Sequence, residues 1–153
     1  MDEQKIIDII HSFRSVQRVF YQVAREEADE LDSTVIQIMV LSALWKTPHI
    51  GLGELADQLQ VGNSTMSGII ERLVKQGLVT RERDQNDRRS LTMTLTEQGQ
   101  KKKAETHEAF MTRFSTFLDI SDEDYQHLIT LHEQIIEKLE QSGDEVENVR
   151  HND

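Results

Sequence analysis

The apolar period of this chain changes at Gly77, from about 3.6 residues to 2, and that switch limits the folds open to it. Before the switch, Leu55, Ala56 and Leu59, and then Met66, Ile69, Ile70 and Leu73, recur as on one face of each of two short helices. The spacing predicts these helices over about Leu52 to Gln60 and over 63–76. After it, Leu78-Val79-Thr80-Arg81-Glu82-Arg83 reads as a strand, and the alternating Leu91-Thr92-Met93-Thr94-Leu95-Thr96 as its partner. The connecting residues 84–90 include no apolar side chain and form a polar hairpin loop. Val61-Gly62-Asn63 predicts the turn between the helices, Asn63 or Ser64 a cap for the second, and Gly77 its stop. The expected class is mainly α with a small β-hairpin.

Helical patterns flank this centre. Over residues 5–28, Ile6, Ile9, Ile10, Phe13, Val16, Phe20 and Val23 form one broad stripe. Asp32-Ser33 is the expected N-cap of a second helix, whose residues Val35, Ile36, Met39, Val40, Ala43, Leu44 and Trp45 are apolar on most sides and belong deep in the core. Pro48 ends that helix. Thr96 caps a long helix carrying Ala104, His107, Met111, Phe114 and Leu118 at 3-4 spacing. Ser121 with Asp124 resembles a capping box and opens a last helix with Tyr125, Leu128, His132, Ile135 and Leu139 on one seam. Residues 142–153 are acidic and polar, and are expected to be a disordered tail. The expected organisation is N-terminal helices over 1–48, a central domain over 49–99, C-terminal helices over 100–141 and the tail over 142–153. There is no internal repeat.

Composition removes whole classes of function. At 153 residues the chain is one domain, or one domain with extensions. It has no cysteine, which excludes disulfides, thiolate catalysis, cysteine-rich zinc sites and a cysteine redox switch. No apolar run approaches the roughly 18 residues of a membrane span. Asp2, Glu3 and Asp8 are the wrong flank for a secretory signal, so a soluble cytoplasmic chain with no membrane partner is expected. No Walker loop, G-x-S-x-G, HExxH or dinucleotide fingerprint is present, so no catalytic residue and no cofactor is assigned. Of the six histidines (His11, His49, His107, His127, His132 and His151) no two are spaced i, i+3 or i, i+4, and no metal ligand is assigned.

The net charge of −11 conceals a local excess of base. Residues 51–103 hold nine basic and seven acidic side chains, with all nine bases between Arg72 and Lys103. Residues 104–153 hold three basic and thirteen acidic ones. A basic patch on an acidic body can still bind a polyanion. The second helix of the central pair leaves Ser64, Thr65, Ser67, Gly68, Glu71 and Lys75 outside, with Asn63 and Arg72 completing the candidate DNA-binding set there. Small hydroxyls at a helix N-terminus suit phosphates and base edges. In the hairpin, Arg81 and Arg83 share a face, and Arg88 and Arg89 lie at the tip, where guanidinium groups suit a minor groove. Asp84 and Asp87 are candidate supports that hold the arginines and stiffen the loop. The plain alternative is a helical pair and a mixed-charge hairpin that are merely solvated.

The segment from Leu52 to Thr96 resembles the winged helix-turn-helix of the MarR family of bacterial transcriptional regulators. The resemblance is carried by Leu55-Ala56, Ser64-Thr65-Met66-Ser67, Leu73, Gly77-Leu78-Val79, Arg81-x-Arg83-Asp84-x-x-Asp87-Arg88-Arg89 and Leu95-Thr96-x-x-Gly99. With the flanking helices it extends over about residues 5–140. Gln85 stands where proline is frequent in the family, Asn86 replaces a frequent basic residue, and Gly68 stands where a larger side chain often reaches DNA. The resemblance implies a homodimer that binds a pseudo-palindromic double-stranded operator. The 63–76 helix would enter the major groove and the 84–90 wing the adjacent minor groove, with the flanking helices serving dimerisation. Repression is the favoured outcome. The resemblance also implies a cleft for a small aromatic effector, with Phe13, Phe20, Trp45 and Phe110 as candidate lining. The rival reading is a winged helix that serves as a protein-interaction module, its acidic C-terminal half being the binding face.

Overall fold

The computed structural model describes residues 3–87 and 89–150, with side chains as far as residue 141. The chain forms two units, one ending at Arg113 and one beginning at Phe114. The first runs α1 (Glu3–Glu30), α2 (Val35–Lys46), β1 (Ile50–Gly51), α3 (Leu52–Gln58), α4 (Asn63–Lys75), β2 (Val79–Arg83), β3 (Leu91–Leu95) and α5 (Glu97–Arg113). The second holds a 3-10 turn (Ser115–Asp119) and α6 (Asp122–Arg150).

The core of the first unit lies where α2, α3, α4 and the sheet meet. Val40, Leu41 and Leu44 of α2 pack with Leu55 and Ala56 of α3, with Met66, Ile70 and Leu73 of α4, and with Ile50, Val79 and Met93 of the three strands. The sheet is antiparallel in the order β1-β3-β2. β1 is the element that periodicity misses, because two residues cannot display a period. It pairs Gly51 with Thr92, which makes β3 central and buries Thr92 as well as Met93. The fold is a winged helix-turn-helix, mainly α with a small sheet, as the patterning predicts.

The caps differ from the expected ones. Asp32 does not cap α2. It adopts φ 51° and closes α1, with the Ser33 N–H on the Ala28 carbonyl at 2.9 Å. The cap of α2 is Thr34, whose hydroxyl accepts the Gln37 N–H at 3.3 Å while the Gln37 side chain accepts the Thr34 N–H at 3.0 Å. That reciprocal pair explains why Gln37 is buried in an otherwise apolar helix. α2 is also less enclosed than its composition suggests. Met39 and Trp45 are exposed, because the core takes the face of Val40, Leu41 and Leu44.

α5 ends at Arg113, short of the expected Leu118. Phe114, Ser115 and Thr116 are three weak helix formers in succession, and the Phe117 N–H bonds the Phe114 carbonyl at 3.0 Å, tightening the chain into 3-10 geometry. The Phe114 and Phe117 rings meet at 5.7 Å. α6 opens on Ser121, which accepts the Asp124 N–H at 3.1 Å as the capping pattern predicts, while the Asp124 carboxylate accepts the Ser121 hydroxyl at 2.8 Å. Its backbone runs on to Arg150, through most of the segment expected to be a disordered tail. No proline interrupts it, and extending a nucleated helix costs little. Residues 151–153 of that expected tail lie outside the described residues.

The ends of α4, β2 and β3 and the start of α5 are joined by one small junction. Gly77 takes φ 72° and stops α4, with the Leu78 N–H on the Leu73 carbonyl at 2.9 Å. Thr96 donates its hydroxyl to the Gly77 carbonyl at 2.6 Å and accepts the Gly99 N–H at 3.0 Å. A Cβ on Gly99 would lie 2.0 Å from the Leu78 carbonyl oxygen. Gly99→Ala should therefore destabilise the fold by about 3 kcal/mol, near the top of the usual range for overpacking, because the obstacle is backbone that cannot swing aside. Urea unfolding checks this; a loss under about 0.5 kcal/mol, the range of an ordinary surface change, would refute the packing argument.

Candidate nucleic-acid interface

α3 and α4 are joined by a turn built on backbone geometry. Gln60, not a glycine, takes the left-handed conformation (φ 56°), and the Val61 N–H bonds the Ala56 carbonyl at 3.0 Å. Ala56 itself is buried where the two helices meet, the place its small side chain suits. Gly62 then serves as the N-cap of α4, and no side chain bonds there. Neither Asn63 nor Ser64 is the cap; both lie inside the first turn. The reason is that the Gly62 carbonyl already accepts the Met66 N–H at 2.9 Å. The amides of Asn63, Ser64 and Thr65 thus open the helix with no intrahelical acceptor.

The rest of α4 follows from its amphipathicity. Met66, Ile70 and Leu73 are buried, while Asn63, Ser64, Thr65, Ser67, Gly68, Glu71, Arg72 and Lys75 are all exposed, so the predicted face is brought together intact. Glu71 and Lys75 form an ion pair at 3.2 Å along the helix surface, leaving the first two turns as its short-chained part.

In the wing, β2 and β3 pair from Val79 with Leu95 to Arg83 with Leu91. Arg81 lies opposite Met93 and Arg83 opposite Leu91, so both arginines leave the sheet on the face that carries the core. On the other face Thr80 and Thr94 share a hydrogen bond of 3.0 Å. The loop is held from within by its two aspartates. One Asp84 oxygen accepts the N–H of Asn86 at 2.7 Å and of Asp87 at 3.3 Å. Asp87 accepts the Arg89 N–H at 3.0 Å and the Ser90 hydroxyl at 3.0 Å. The Asp84 N–H and the Ser90 carbonyl close the loop at 2.9 Å. These carboxylates therefore work on the loop backbone, the local role in which aspartate excels. Arg89 is exposed and makes no ion pair among the described residues; Arg88 lies outside them.

Other bases of the 72–103 segment are committed elsewhere. Lys101 pairs with Glu97 at 3.0 Å, and Lys102 donates to the Leu31 carbonyl at 2.7 Å, closing the end of α1. Lys103 lies 5.4 Å from the centre of the Trp45 ring. The broad basic patch read from the sequence thus narrows to α4 and the wing.

The four candidate effector-site aromatics are dispersed in surroundings. Trp45 lines a cleft of about 360 Å³ with Pro48, His49 and Leu95 among its neighbours, and none of Phe13, Phe20 or Phe110 is in that lining. Phe13 and Phe20 are exposed on α1, and Phe110 is half-buried on α5. His49 holds φ 62° there, with its N–H on the Met93 carbonyl at 3.1 Å, which ties the end of α2 to β3. Nothing in its sequence context signals that conformation. Among the described residues no three His, Asp or Glu side chains are grouped to hold a metal ion.

The MarR family model matches residues 34–91, the span from the cap of α2 to the start of β3. The organic hydroperoxide resistance transcriptional regulator of Bacillus subtilis is 34% identical over 71 residues, which are 46% of this chain and 48% of that protein. The chain thus matches about half the length of that relative. The HTH-type transcriptional repressor MdtR of Bacillus subtilis is 28% identical over 110 residues, 68% of this chain and 71% of that protein. Among solved structures, an S. aureus MepR-DNA complex superposes with a TM-score of 0.74 at 21% identity, covering 84% of this chain and 96% of that one.

Proposed function

We propose that this chain, which belongs to the MarR family of transcriptional regulators, is a repressor that binds a pseudo-palindromic DNA operator as a homodimer. The observation that carries this reading is the pairing, within one unit, of an open helix start lined by small polar side chains with a hydrogen-bonded loop that presents Arg89. The free amides of Asn63, Ser64 and Thr65 favour phosphate, and Ser64 and Ser67 suit base edges in a major groove. Arg89, with Arg88 beside it in sequence, suits the negative potential of a minor groove. The MepR-DNA neighbour supports a fold able to sit on duplex DNA, and the MdtR relative supports repression over activation.

The dimer is supported by apolar surface that each unit leaves bare. α1 exposes Ile6, Ile9, Ile10, Val16 and Val19, and α6 exposes Leu128, Leu131, Ile136 and Leu139. Stripes of this size on helices mark association surfaces. A two-fold dimer would repeat the α4 and wing pair on two half-sites. The Trp45 cleft, lined by that ring with Pro48, His49 and Leu95, suits a small aromatic effector.

Arg89→Ala should weaken binding to operator and scrambled duplexes by similar factors and reduce the salt slope by about one, because it removes one phosphate-neutralising charge. Ser67→Ala should spare the scrambled duplex and cost about 1 kcal/mol or more of discrimination. Gel-shift titrations over a salt series read both. If Arg89→Ala leaves both affinities intact in a folded protein, the interaction-module reading prevails. Sedimentation at micromolar concentration should show a dimer, and a wild-type monomer would contradict the two-fold account.

A further inference from the structure

Gly68 has no role inside the molecule. It stands in mid-helix of α4, exposed, and an added Cβ there would meet no atom within 4 Å. Its backbone is helical, with no positive φ that would call for glycine. Glycine in a helix interior is among the least favourable residues, so folding alone favours alanine at this position. The contrast with Gly99 is sharp, since a Cβ there would strike backbone at 2.0 Å.

The neighbours of Gly68 indicate what the open space serves. At 3.6 residues per turn, Ser64, Gly68, Glu71 and Lys75 fall on one line along the outer face, with Ser67 beside it. The two long side chains of that line are tied to each other at 3.2 Å. The remaining readers are serines, whose hydroxyls extend little beyond their own Cβ. A helix that reads base edges with serines must seat deeper in the groove than one that reads with arginine or glutamine. A methyl group at the centre of the line would hold it off.

We infer that Gly68 is a specificity-determining residue: its missing side chain lets α4 seat closely enough for Ser64 and Ser67 to reach base edges. This rests on the DNA-binding reading above. Gly53, a helical glycine in the first turn of α3 with equally open surroundings, provides the control.

The test starts from a duplex enriched by the wild-type protein from a random pool. Wild type, Gly68→Ala and Gly53→Ala are then titrated against it and against a scrambled duplex. Gly68→Ala should raise Tm by roughly 2–4 °C, as expected for a glycine-to-alanine change in an open helix. It should nonetheless lose about tenfold or more in affinity for the enriched duplex while keeping its affinity for the scrambled one. Gly53→Ala should keep both affinities. Equal binding of the enriched duplex by Gly68→Ala and wild type would overturn the inference, as would an equal loss on both duplexes. Failure of the wild-type protein to bind any duplex would instead overturn the DNA-binding reading itself.

Discussion

Three short contacts at the base of the wing fix where the two candidate DNA elements lie relative to each other. Thr96 gives its hydroxyl to the Gly77 carbonyl, takes the Gly99 amide, and through its own N–H bonds the Leu78 carbonyl at 3.1 Å. The end of α4, the bases of β2 and β3 and the first turn of α5 are thereby tied within a few residues. Gly77 supplies the left-handed turn, and Gly99 the space that lets α5 press against Leu78. A helix in one groove and a loop in the next must keep a set spacing to act together. Here the spacing is set by one short hydroxyl side chain and the backbone groups it joins, and not by long side chains.

The electrostatics follow the same economy. A net charge of −11 opposes binding to a polyanion at long range, so attraction must come from a small region. The structure narrows that region further than the charge count does. Glu71 occupies Lys75, Glu97 occupies Lys101, and a backbone carbonyl occupies Lys102. What is left includes the helix start of α4 and Arg89 of the wing. The two wing aspartates, which a charge count scores against DNA, shape the loop by accepting its amides.

Much of this was legible in the sequence because it rests on periodicity and on residues with strong local preferences. The switch of period at Gly77, the outward set of α4, the Thr96 and Ser121 caps and the two strands of the hairpin all follow from such signals. The rest depends on context. β1 is two residues long and exists only because β3 offers it an edge. Asp32, His49 and Gln60 take positive φ where glycine would be the expected signal, Asp32 and Gln60 in hydrogen-bonded turns and His49 with its N–H on the Met93 carbonyl of β3. The sequence places Asp32 at the N-cap of α2, whereas the hydrogen bonds make it the closing residue of α1. The break after Arg113 comes from a cluster of phenylalanines and β-branched or polar residues whose stripe spacing still looks helical. The exposure of Trp45 reflects which face of a uniformly apolar helix the core selects, and composition alone does not encode that choice.

The central claim is that α4 and the wing of one unit contact duplex DNA at the same time. Backbone amide shifts of the labelled full-length protein, followed by NMR as the enriched duplex is added, test it directly. The account predicts that the largest changes fall together on residues 63–68 and on residues 84–90, with the buried strand residue Met93 little affected. Changes confined to one of the two segments, or centred on the apolar residues of α1 or α6, would contradict it.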